Sequence, residues 1–152
     1  SPATMIGYHN RPEATAEALR DGWFHTGDMG EIDDAGYLRL TGRAKDMIIS
    51  GGMNVYAREI EDIIQAIPNV RDVAVVGVPH EKWGETPVAV VVAVDAMGVQ
   101  EEVNRRCAQL SGYKRPSAVL VRQEPLPRTP TGKVLKRELR PWAEAEVKNR
   151  RS

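Results

Sequence analysis

Two valine-rich stretches, VRDVAVVGV (residues 70–78) and PVAVVVAV (87–94), constrain this chain more than any other feature. Both are short apolar runs of β-branched residues, bounded by Pro79, Gly84 and Pro87, which is the pattern of core strands. The PHEKWGET segment between them is too polar for such a strand. SAVLV (117–121) reads as a third strand. Between and around these runs lie helical patterns. AREIEDIIQAI (57–67) sets Ile60, Ile63, Ile64 and Ile67 at helical spacing, with Glu59, Glu61 and Asp62 on other faces and Pro68 closing the run. QEEVNRRCAQL (100–110) puts Val103, Cys107 and Leu110 on one side and ends before Gly112, so Cys107 reads as a packing residue. GKVLKRELRPW (132–142) reads as a last short helix with Val134, Leu135 and Leu139 turned inward, and the charged stretch after Trp142 reads as a frayed tail. These elements make an α+β fold in which a small sheet of about three strands is covered by helices.

Ahead of that sheet the pattern is different. NRPEATAEAL offers Asn10 as a helix cap, Pro12 and Glu13 in the first turn, and Gly22 as a stop. WFHTGDMGEIDDAGYLRL then reads as a β-hairpin segment, extended around Trp23–Thr26, Glu31–Ile32 and Tyr37–Leu40, with its turn at Asp33, Asp34 and Gly36.

Charge and cysteine usage exclude several classes. With 21 basic and 21 acidic residues the chain has no net charge, which argues against a general nucleic-acid binder. Its one cysteine excludes an internal disulfide framework and points to a reducing compartment, the cytoplasm by default. No apolar run is long enough for a transmembrane segment, and no secretion leader is visible. His25 and His80 have no companions at metal-ligand spacing, so no metal site is expected and both read as structural or surface residues.

The stretch PRTPTGKVLKREL (127–139) holds a lysine, Lys133, behind a Pro- and Gly-rich loop. It is not a P-loop. That motif needs a glycine five residues before the Gly-Lys pair and a Ser or Thr after the lysine, and here those places are Pro127 and Val134. A lysine held on such a turn is still suited to a phosphate or carboxylate as a point charge.

Five stretches, GWFHTGD (22–28), LTGRAKDMIISGGMNVYAREIE (40–61), VPHEKWGE (78–85), GYKRP (112–116) and LPRTPTGKVLKREL (126–139), resemble in order and spacing the C-terminal part of the adenylate-forming enzymes. That superfamily comprises acyl-CoA synthetases, luciferases and peptide-synthetase adenylation domains, and KDMIISGGMN with EKWGE is most similar to the fatty acyl-CoA ligases. The resemblance implies ATP, CoA and Mg²⁺ as cofactors, the Mg²⁺ carried by ATP and the N-terminal domain, and a carboxylic acid as substrate. It implies two steps, formation of an acyl-adenylate with release of pyrophosphate, then displacement of AMP by the CoA thiol. By resemblance, Lys133 stabilises the charge of the adenylation step, Asp28 accepts hydrogen bonds from the ribose hydroxyls, and Arg43 contacts the nucleotide. Gly51 and Gly52 match the loop that lies against the pantetheine arm of CoA, and Lys45 in GRAK matches the hinge.

The implied organisation is residues 1–42 as the end of a large N-terminal domain, 43–46 as hinge, 47–142 as the mobile C-terminal domain and 143–152 as the charged tail. The chain's own N-terminal domain is then its partner, and the chain alone is not expected to make acyl-CoA. Two departures stand out. Ala57 follows Tyr56 where the family commonly has proline, and Ile49 stands where luciferase-type members carry a second lysine. Two alternatives remain open, an adenylation domain that loads a carrier protein and a non-catalytic binding or regulatory fragment.

Overall fold

The computed structural model describes residues 2–151. The chain divides at Lys45/Asp46 into two compact units. The fold is α+β, as the strand and helix patterns imply.

In the first unit, helix α1 (Pro12–Ala18) opens with proline at its first position, where the missing N–H costs nothing. Its cap is not Asn10, which adopts a positive φ of 51°. Arg11 occupies the cap position without a side-chain cap, and Thr15 ties the start instead, its hydroxyl donating to the Arg11 carbonyl and accepting from the Tyr8 N–H. The helix also ends earlier than Gly22. Strands β1 (Leu19–Arg20) and β2 (Trp23–Phe24) follow it, joined by Asp21 and Gly22, both at positive φ. That is the requirement of a two-residue hairpin turn whose twist matches its strands. A second hairpin pairs β3 (Asp28–Ile32) with β4 (Leu38–Arg43), with a bulge between Met29 and Gly30. Asp33 organises its turn by accepting from the Ala35 and Tyr37 N–H groups at 3.0 and 2.8 Å. A 3₁₀ turn, Ala44–Asp46, ends this part of the chain.

The second unit holds a five-stranded sheet. β7 (Val70–His80) and β8 (Gly84–Ala93) form a long antiparallel hairpin, and β9 (Ala118–Arg122) pairs parallel to β8. These are the three strands expected from the sequence. A hairpin of β5 (Met47–Ser50) and β6 (Met53–Tyr56) joins them through the Ser50 and Gly84 pair. Helices α2 (Ala57–Gln65) and α3 (Val99–Cys107) cover one face, where Ile60, Ile64, Val103 and Cys107 pack with Val73, Val75, Ala89 and Val91. Helix α4 (Lys136–Arg151) covers the other with Leu139, Ala143 and Val147 against Ala74, Val76, Val88 and Val90. Burial on both faces explains why β7 and β8 are continuous in valine rather than alternating.

The region expected to be a frayed tail is therefore part of α4. Leu139, Ala143 and Val147 recur every fourth residue and so share one helix face, and Ala143 is fully buried. The helix starts at Lys136, not at Gly132, so Val134 and Leu135 lie in the preceding loop. Cys107 packs in the core, where burial raises the thiol pKa. Among the described residues no helix is long and apolar enough to cross a membrane.

Candidate functional site

Lys133 stands on a tight hairpin rather than at the mouth of a helix. Gly132 N–H donates to the Thr129 carbonyl at 2.9 Å, and Thr129 N–H donates to the Lys133 carbonyl at 2.8 Å. Pro130 stands second in this four-residue turn and Gly132 fourth, with φ at 83°. Proline at the second position and a glycine at positive φ in the fourth are what a type I turn with a glycine bulge needs. The Lys133 N–H also donates to Thr129 Oγ1 at 3.1 Å, and Arg128 pairs with Val134 across the arms. The main chain of Lys133 is thus held, while its side chain is exposed.

Asp28 and Arg43 face each other across β3 and β4. The Arg43 Nε lies 3.3 Å from Asp28 Oδ1, and the two side chains remain 43% and 33% exposed. The carboxylate is close enough to the surface to accept from paired hydroxyls, so the residues fit a nucleoside sugar. Lys45 is an exposed residue of the Ala44–Asp46 turn.

Gly51 and Gly52 form the two-residue turn between β5 and β6, at φ of 58° and 81°. Their environments differ. A Cβ on Gly51 would come within 2.8 Å of the Trp83 ring, whereas one on Gly52 would meet nothing within 4 Å. The Gly51 N–H donates to the Trp83 carbonyl at 2.8 Å, and Lys82 Nζ sits 4.8 Å from the centre of the Trp83 ring. Trp83 is not among the site residues expected from the sequence. Its signal lay in EKWGE, but its packing on the glycine turn joins residues about thirty positions apart.

Lys133 and the glycine turn occupy different ends of one sheet. Arg128, beside Lys133, is bonded to Asp72 near the start of β7. Trp83, which carries the Gly51 contact, follows His80 at its far end. From Asp72 to His80 the strand rises through eight residue steps, about 26 Å at the usual rise. His80 Nδ1 accepts from the Lys82 N–H, and in the first unit His25 Nδ1 lies 3.4 Å from Arg20 Nη2.

An α+β domain with a lysine hairpin at one end of its sheet and a glycine turn at the other has known counterparts. Residues 59–133 match the family model described as the AMP-binding enzyme C-terminal domain, and the chain belongs to that family. It is 52% identical over 141 residues to the long-chain-fatty-acid–CoA ligase FadD13 of Mycobacterium tuberculosis, covering 92% of this chain and 28% of the relative. It is 48% identical to a feruloyl-CoA synthase of Amycolatopsis sp., covering 91% of this chain and 28% of the relative. Among solved structures, ATP-bound MatB from Rhodopseudomonas palustris matches with a TM-score of 0.82 at 40% identity, over 95% of this chain and 29% of that one. The o-succinylbenzoate-CoA synthetase MenE from Bacillus subtilis, in complex with its acyl-adenylate intermediate, matches with a TM-score of 0.84 at 35% identity, over 91% of this chain and 28% of that one. The chain thus spans just over a quarter of the length of these relatives.

Proposed function

We propose that this chain is the C-terminal portion of an ATP-dependent acyl-CoA ligase of the fatty-acid class, and that its second unit serves two half-reactions with opposite ends of one sheet. The observation that carries this reading is that the Asp72 anchor of the Lys133 hairpin and the Trp83 support of the Gly51–Gly52 turn lie towards opposite ends of β7, with about 26 Å of strand from Asp72 to His80. A rigid unit of that length cannot present both ends to one reaction centre at once, so it must turn between steps. The pivot is Lys45, in the exposed turn that ends the first unit.

In the first step the carboxylate attacks the α-phosphorus of ATP and pyrophosphate leaves. Lys133, carried on a rigid hairpin, supplies a fixed cation where negative charge accumulates. Asp28 accepts from the ribose hydroxyls and Arg43 braces that carboxylate. Mg²⁺ belongs to the ATP phosphates in this reading. In the second step the CoA sulfur attacks the acyl carbonyl and AMP leaves. The Gly51–Gly52 turn then lets the pantetheine arm approach the backbone, with the Trp83 ring as an apolar wall beside it. Two relatives named for different acids, a long-chain fatty acid and a feruloyl group, fit a chain whose own residues do not choose the acid.

The test is Lys133→Ala in the full-length parent, with the half-reactions measured separately. Adenylation is expected to slow by about 10² to 10³-fold, while thioester formation from supplied acyl-adenylate stays near normal. Equal loss in both would overturn the role given to Lys133.

A further inference from the structure

The hairpin that carries Lys133 is fastened to the sheet by a side chain that the reading above does not use. Arg128 Nη1 donates to the Gly132 carbonyl, the peptide group directly before Lys133, and Arg128 Nη2 donates to Asp72 Oδ2 on β7, both at 2.5 Å. Asp72 is itself oriented, its Oδ1 accepting from the Val73 N–H at 3.0 Å. It also follows directly on the register shift between Val70 and Asp72 in β7, and such a bulge re-aims the side chains beside it. Beyond the turn, Lys136 Nζ lies 2.7 Å from Glu61 Oε1, which also accepts from the Val75 N–H. The segment is therefore held on both sides of Lys133, by Arg128 to Asp72 of β7 and by Lys136 to Glu61 of α2.

Stability is a weak explanation for the Arg128 contact. The Arg128 side chain is 43% exposed and that of Asp72 24%, and pairs with that much solvent contribute little to folding. Geometry explains it better. One planar fork spans a main-chain carbonyl and a carboxylate at a fixed spacing and direction, which the single rotatable ammonium of a lysine does not reproduce. We infer that Arg128, oriented by Asp72, is a positioning residue that sets the direction in which Lys133 projects. The inference rests on the adenylation role proposed for Lys133.

In the full-length parent, Arg128→Ala is expected to slow adenylation about 10- to 100-fold, the scale of a misplaced catalytic group, and to leave thioester formation from supplied acyl-adenylate unchanged. Arg128→Lys, which keeps the charge and loses the fork, should be as slow. Asp72→Asn keeps the side-chain size and should give a smaller loss of the same kind, which serves if Arg128→Ala lowers the melting temperature. The deciding measurement is made in a Lys133→Ala background, where Arg128→Ala should have no further effect because it acts only through that lysine. Three results would overturn the inference: equal slowing of both half-reactions, the same fold-loss with and without Lys133, or full adenylation by Arg128→Ala while Lys133→Ala is slow. If Lys133→Ala itself adenylates at full rate, the role of Lys133 falls first and the positioning role falls with it.

Discussion

The valines of β7 and β8 are shut away on both faces of the sheet in the second unit. In the first unit Trp23, Ile32, Tyr37, Leu38 and Leu40 stand 62–76% exposed, and no residue from 2 to 45 is buried. Both units carry well-formed hairpins, so secondary structure does not separate them. Burial does. The first unit's hairpins are specified locally by Asp21–Gly22 and by the Asp33–Gly36 turn, yet two-stranded hairpins are marginal without something to pack against. In the function proposed above, the cover is the remainder of the large domain. The second unit has its own core and can act as a movable piece.

The contrast is tested most severely by dividing the chain. Residues 46–152 alone are expected to unfold in one cooperative urea transition, and residues 2–45 alone to show none by circular dichroism. A cooperative transition from the short piece would break the comparison. Within the whole chain, Ile60→Ala removes a fully buried side chain and should cost about 2–5 kcal/mol, whereas Leu40→Ala, at 62% exposure, should stay within about 0.5 kcal/mol. Urea midpoints for the two variants would show it. The rim of the second unit offers a finer contrast. Alanine at Gly51 or Gly52 must hold a positive φ, costing about 1–2 kcal/mol, but only Gly51→Ala also meets the Trp83 ring. Gly51→Ala should therefore melt lower than Gly52→Ala, and Trp83→Ala should close the gap.

The smallest effect is electrostatic. Hydrogen bonds first from Arg105 and then from Arg106 lower the Glu102 carboxyl from 4.5 to about 2. A depressed carboxylate adds stability above its ordinary pKa and loses it as pH falls through the lowered value. Because the pairing Arg105 and Arg106 side chains are largely in solvent, Glu102→Gln should be only slightly less stable at pH 7, with the two urea midpoints converging towards pH 2.

Legibility in the sequence followed the same divide between local and distant causes. Helix α2 was legible because four isoleucines repeat at helical spacing, and β7, β8 and β9 because buried strands are written as valine runs. Three elements depart from their local sequence pattern for identifiable reasons. Asn10 has a good capping side chain but lies in a left-handed turn that no local rule requires. The stretch after Trp142 carries so much charge, with Pro141 just ahead of it, that its pattern hides Ala143 and Val147 continuing the inward face of Leu139 at fourth-residue spacing. Lys133 was placed at a helix mouth because KVLKREL is amphipathic, although Thr-Pro-Thr-Gly spells a turn first. At the candidate site the residue types were readable. Their partners, Trp83 against Gly51 and Asp72 against Arg128, were not, because those contacts depend on which ends of the sheet come together.

In the proposed function a self-sufficient second unit pivots at Lys45 between two tasks. Replacing Lys45 with proline in the full-length parent would fix φ near −65° there and restrict Ala44 as well. The variant is expected to melt like the parent, to keep acyl-adenylate formation and to lose most CoA thioester formation. A well-folded Lys45→Pro enzyme that runs both half-reactions at the parent's rates would contradict the pivot.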